Sequence, residues 1–241
     1  MSAFRIICLF TVGALLVGCS MIPPISVITS SGRTETKNYD LAGFSQVNVS
    51  SAFTVEVTQS EAYRVEVTVD DSLLDRLDIR VSGDTLYIGL KPGVSIRGSA
   101  VMEAVVTMPA LTGLDLSGAT RGTLSGFNSG KAFSANVSGA SRLSGDITCG
   151  DARFDVSGAS RLELAGAAKD LRVNASGAST VSLDDFPAAD ANVEASGASR
   201  ATVNARGVLN ATASGASTVL YTGDPASVRE NTSGASTVRG K

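Results

Sequence analysis

From about Ala110 the chain alternates. Around one point apolar residues fall at every second position: Phe154, Val156, Leu162 and Leu164. The same holds for Val173, Ala175, Val181 and Leu183, and for Ala211, Ala213, Val219 and Tyr221. Period two belongs to a strand with one buried face, and the three- and four-residue spacings of an amphipathic helix are missing. Between the two halves of each pattern stands Ser-Gly-Ala-Ser or Ser-Gly-Ala-Thr. The phrase begins at Ser117, Ser138, Ser157, Ser176, Ser196, Ser214 and Ser233, with gaps of 21, 19, 19, 20, 18 and 19 residues.

A unit of about 19 residues holds two or three short strands and their corners. No unit buries its apolar face alone, whereas stacking like stretches buries a continuous column. The pattern therefore predicts an all-β fold, a parallel β-helix or solenoid of about seven coils. Neighbouring coils would lie about 4.8 Å apart. Gly suits the tight corner, and the Ser hydroxyls would form ladders there. Two residues before each phrase stand Asp115, Asn136, Asp155, Asn174, Glu194, Thr212 and Asn231. Just after it stand Arg121, Arg142, Arg161, Thr180, Arg200, Thr218 and Thr237, a surface ladder able to meet a polymer. If the corner brings the two columns together, they can pair with each other.

Residues 38–109 form a less regular β region. Phe44, Val47 and Val49 lead into Ser50-Ser51-Ala52, followed by Phe53, Val55 and Val57, which echoes the later coils. A strand is predicted from Tyr63 to Val69, and a turn or two of helix at Leu73, Leu74 and Leu77. A hairpin is predicted around Gly83-Asp84, and a last strand from Val101 to Met108. This thicker part would cap the rod, whose regular portion runs from 110 to 241. At the other end Glu230 and Thr232 replace apolar residues and Pro225 interrupts a strand. Such changes discourage edge-to-edge growth.

The amino terminus follows another logic. Arg5 supplies a charge, Ile6 to Val17 is apolar, and Leu16-Val17-Gly18-Cys19 follows. The run is far shorter than the roughly 20 residues that span a bilayer. It is similar to a lipoprotein signal peptide, 1–18, with Cys19 as the acylated first residue of the processed chain. More than one acyl chain gives lasting attachment to a membrane. Ser20 rather than Asp after the cysteine resembles the pattern sent to the outer membrane where the host has two. Residues 19–37, with Pro23-Pro24 and mixed polar residues, are expected to be a tether.

Composition narrows the chemistry. The 241 residues contain no His and no Trp, and three Cys of which Cys8 would leave with the leader. A lone Cys149 then has no disulfide partner in its own chain, and a Cys/His zinc site is excluded. No metal or cofactor is expected. The net charge of −3 offers no nucleic-acid footprint. Paired carboxylates such as Asp184 and Asp185, or Asp151 and Asp155, are the candidates for a polysaccharide-active enzyme. They read more simply as turn and surface residues.

The Leu-Val-Gly-Cys box, the Phe44-x-x-Val-x-Val start, the Leu73-Leu74 segment and the multiplied Ser-Gly-Ala-Ser phrase together resemble the auto-transporter adhesin head GIN domain family. The resemblance covers roughly Asn38 to Val238. It implies a two-part β-helix-like stack on an envelope lipoprotein, and it carries no catalytic residue over to this chain. The expected function is that of a non-enzymatic envelope module that meets a protein or polysaccharide partner. The alternatives are a polysaccharide-active enzyme and an envelope stress or signalling accessory.

Overall fold

A computed structural model describes residues 26–241. The expected leader 1–18, Cys19 and the first part of the expected tether lie outside the described residues. The rest is a parallel β-solenoid whose coils each give one strand to each of two walls.

The first wall contains Gly113–Leu116, Phe133–Val137 and Ala152–Val156, then the second halves of Arg161–Ala175 and Thr180–Ala195, and lastly Val208–Ala213 and Ser227–Thr232. The second wall contains Arg121–Asn128, Arg142–Thr148, the first halves of the same two long strands, Arg200–Ala205, Thr218–Thr222 and Thr237–Gly240. All these pairings are parallel. Phrase stacks on phrase: Gly158 has φ +71°, and a Cβ there would sit 2.5 Å from the Gly139 carbonyl oxygen. Without side chains the corners approach closely enough for Ala159 N to donate to Gly139 O at 2.9 Å. The bond recurs from Ala178 to Gly158 and from Ala198 to Gly177, each at 2.8 Å.

The fourth residue of each phrase points inward. Ser179, Ser199 and Ser217 are buried and donate their hydroxyls to the carbonyls of Val156, Ala175 and Ala195 at 3.2, 3.1 and 3.0 Å. This satisfies a polar group that burial would otherwise penalise. Behind them the core is one continuous column of Val, Leu, Ala and Phe. Phe133, Phe154 and Phe186 form an edge-to-face stack within it, with centroids 6.2 and 5.7 Å apart.

Two more coils lie in the irregular region, and their order in space is not their order in sequence. The coil made by Gln46–Val49 and Thr54–Gln59 is sandwiched. On one side it pairs with Gly113–Leu116 and Arg121–Asn128, on the other with Thr85–Leu90 and Met102–Met108. Beyond this last coil the pairing turns antiparallel. Leu77–Ser82 covers Thr85–Leu90, Arg64–Asp70 covers Met102–Met108, and Thr34–Tyr39 covers Arg64–Asp70. The outermost strand, Thr34–Tyr39, is mostly exposed and polar, which suits a sheet edge that must not recruit another chain. The helical turn between Arg64–Asp70 and Leu77–Ser82 is a 3-10 helix, Asp71–Arg76.

The tether expected through Lys37 is shortened by this arrangement. Ser26–Thr29 runs parallel to Val94–Arg97, and Thr34–Tyr39 belongs to the cap. Asp70 holds the link between them. Its carboxylate accepts from Ser30 Oγ, the amides of Ser31 and Gly32, and the amide and hydroxyl of Ser72. Thr34–Tyr39 is polar without alternation and Ser26–Thr29 is only four residues long, so neither gives a clear strand signal. Backbone pairing with a distant edge made these strands.

Candidate binding surface

The register fixes the outward columns. On the second wall Arg121 pairs with Arg142, Arg142 with Arg161, Arg161 with Thr180, Thr180 with Arg200, Arg200 with Thr218 and Thr218 with Thr237. The ladder residues thus stand in one line, adjacent members about 4.8 Å apart. The four arginines are exposed. On the first wall Asp115, Asn136, Asp155, Asn174, Glu194, Thr212 and Asn231 form a second line in register.

The structure does not bring these two lines together. They lie on different walls, with the exposed Gly-Ala tips between them. The acidic and amide line finds partners on its own wall instead. Asn136 and Asn174 donate to Asp115 and Asp155, each at 2.5 Å, and Arg153 pairs with Asp155 at 2.8 Å. Arg172 pairs with Glu194 at 3.3 Å. None of Arg121, Arg142, Arg161 and Arg200 has a carboxylate within ion-pair distance among the described residues.

Several shallow features break the flatness, two of them near the candidate residues. A groove of about 390 Å³ on the first wall has a floor that includes Phe133, Ala152 and Leu171, with Arg153 and Arg172 at its rim. The sequence did not reveal it, because its floor residues are core positions of three different coils. A smaller depression of about 210 Å³ on the second wall is lined by Glu163, Asp184 and Asp185 among others.

The carboxylate pairs singled out from the sequence occupy ordinary surroundings. Asp184 is bound to Lys241 Nζ at 2.6 Å, and Asp155 is engaged by Arg153 and Asn174. Asp151 receives the Phe133 amide on its main-chain oxygen at 2.9 Å. Among the described residues no group of three or more His, Cys, Asp or Glu is placed to hold a metal ion. Cys149 is buried, and burial with the nearby Asp151 charge pushes its thiol up to about 11. No described helix is long and apolar enough to cross a membrane.

The family described as "Putative auto-transporter adhesin, head GIN domain" matches residues 26–225. The chain belongs to this family. The match begins twelve residues before Asn38, at the first strand of the structure. No curated protein is detectably similar in sequence. Among solved structures, a putative adhesin from Bacteroides fragilis NCTC 9343 superposes with a TM-score of 0.84 at 18% identity, covering 89% of this chain and 100% of that one. A putative lipid binding protein from Parabacteroides distasonis ATCC 8503 gives 0.74 at 19% identity, covering 90% and 100%. A putative adhesin from Parabacteroides merdae ATCC 43184 gives 0.69 at 18%, covering 89% and 99%. At these identities the likeness is one of fold alone.

Proposed function

We propose that this head GIN chain is a non-catalytic module of the cell envelope, held to a membrane by lipid on Cys19 and presenting its rod to a protein or glycan partner. One observation carries the reading: the continuous core and parallel register set outward residues in straight columns, while Asp155 and Asp184 among the candidate carboxylates are taken up in ion pairs. Such a surface binds a partner without reorganising, which lowers the entropic cost of association. The descriptions of the structural relatives, adhesin and lipid binding, both name attachment and not a reaction. Lipid at Cys19 would stand seven residues ahead of Ser26, so the capped end faces the membrane and the regular coils lead away from it. In a host with two membranes, Ser20 favours the outer one.

The test has two arms. Cys19→Ser should move the protein from the membrane fraction to the soluble fraction and abolish the acyl mass on the processed chain. A deletion strain should lose attachment to cells, matrix or an envelope partner, and restoring the gene should return it. Unchanged fractionation of the Cys19 variant sinks the anchor. A deletion strain that keeps every attachment sinks the surface role, and turnover on a glycan panel that is lost on Asp184→Asn would restore the enzymatic alternative.

A further inference from the structure

Five arginines elsewhere in this protein pair with carboxylates, whereas Arg76, Arg97, Arg206, Arg229 and Arg239 do not among the described residues. Arg64 bonds Glu66 at 2.6 Å, Arg153 bonds Asp155 at 2.8 Å, and Arg80 bonds Asp78. Each of these pairs is two residues apart on one strand. Arg161 and Glu163 have the same spacing on the strand Arg161–Ala175, yet no ion pair joins them. Arg121, Arg142 and Arg161 are successive rungs, so three arginines start from one line at strand spacing without a counter-charge in ion-pair distance among the described residues. Like charges directly opposite across a parallel ladder repel. Arg200 continues the line after Thr180, roughly 19 Å from Arg121 at four strand spacings.

We propose that the Arg121, Arg142, Arg161 and Arg200 ladder is a binding track for a linear acidic polysaccharide, one bearing carboxylate or sulfate groups at regular intervals. The proposal rests on the surface-binding reading above and names the ligand class for it. A planar guanidinium presents paired donors that match carboxylate and sulfate oxygens. The hydroxyls of Thr180 and Thr218 lie in the same line and supply neutral contacts between and beyond the charges. The rungs are preorganised because Leu143 and Leu162, next to Arg142 and Arg161 in sequence, are fully buried.

The surroundings favour a narrow polymer over a lipid surface. Glu163 stands beside the ladder, Glu56 pairs with Thr123 one column over, and Glu103 precedes the ladder through Thr54. A flat anionic membrane would meet these acids together with the arginines. A single extended chain follows the arginine line and avoids them. The protein's own net charge of −3 also opposes diffuse attraction to an anionic surface.

The experiment uses the full chain in detergent, with polygalacturonate, dextran sulfate, neutral dextran and phosphatidylglycerol vesicles as probes. At least one acidic polymer should bind, neutral dextran should not, and binding should weaken steeply as salt rises. The triple variant Arg121→Gln, Arg142→Gln, Arg161→Gln should bind about tenfold more weakly or less, the loss of roughly one charge-assisted contact or more. Arg229→Gln, on the other wall, should bind as the parent does. Circular dichroism melts check the fold of each variant, and single Arg142→Gln replaces the triple if the latter melts early. Absence of acidic-polymer binding, or equal binding by the triple variant, overturns the proposal. So does ladder-dependent binding to the vesicles alone. Binding to dextran or to an envelope protein that ignores the ladder would overturn it while leaving the surface-binding function standing.

Discussion

Ser30 Oγ donates to Asp70 Oδ2 at 2.6 Å across forty residues of sequence. With the other four donors to the same carboxylate, this bond fastens the first strands of the chain to the cap. Asp70 is 1% exposed, and its hydrogen bonds, Ser30 and Ser72 first, hold its pKa well below the usual carboxylate range. A depressed folded-state pKa adds stability that is fully present above the ordinary carboxylate value and is lost progressively as the pH falls from there towards the folded-state pKa. The melting temperature of the parent should therefore begin to drop below about pH 5 and keep dropping well below about pH 3. Asp70→Asn should melt several degrees lower at pH 7 and lose less on acidification. Equal pH dependence in the two proteins would remove Asp70 from this role.

The stacked corners set a second expectation. Gly158→Ala places a Cβ at positive φ and against the Gly139 carbonyl. It should cost about 1–3 kcal/mol in urea unfolding. Ser157→Ala, half-buried one residue earlier, should change stability by only about 0.5 kcal/mol or less.

Phe154 is fully buried between Phe133 and Phe186. Phe154→Ala should destabilise the rod by about 3–5 kcal/mol. Because coils stack only on their neighbours, the loss should open the middle of the rod first. Hydrogen exchange should show it at Phe133–Val137 and in the long strands before it shows at the cap.

Cys149 should behave as an inert thiol. Its pKa of about 11 leaves little thiolate at neutral pH, and thiolate is the reacting species. Labelling by a thiol reagent at pH 7.5 should follow the rate of unfolding. Rapid labelling of the folded chain would contradict the buried placement.

The regular coils were legible because their information is local. Val156, Leu162 and Leu164 mark the inward positions within one unit, and the recurring phrase marks where the next unit lies. Both signals survive in a one-dimensional reading. The hairpin around Gly83 and the short helix after Asp70 were legible for the same reason. The groove over Phe133, Ala152 and Leu171 was not, since its parts come from three coils and each alone looks like core.

The one-dimensional pattern, then, determined the coil, its length, its inward face and the composition of the outward lines, because parallel stacking repeats one local pattern in register. Tertiary structure decided what depended on partners far along the chain. It placed the coil at Gln46 between coils of later sequence, drew Thr34–Tyr39 into the cap, and set the arginine line on one wall and the acidic line on the other. Backbone hydrogen bonds join any two strand edges regardless of side chain, so no residue pattern announced those choices.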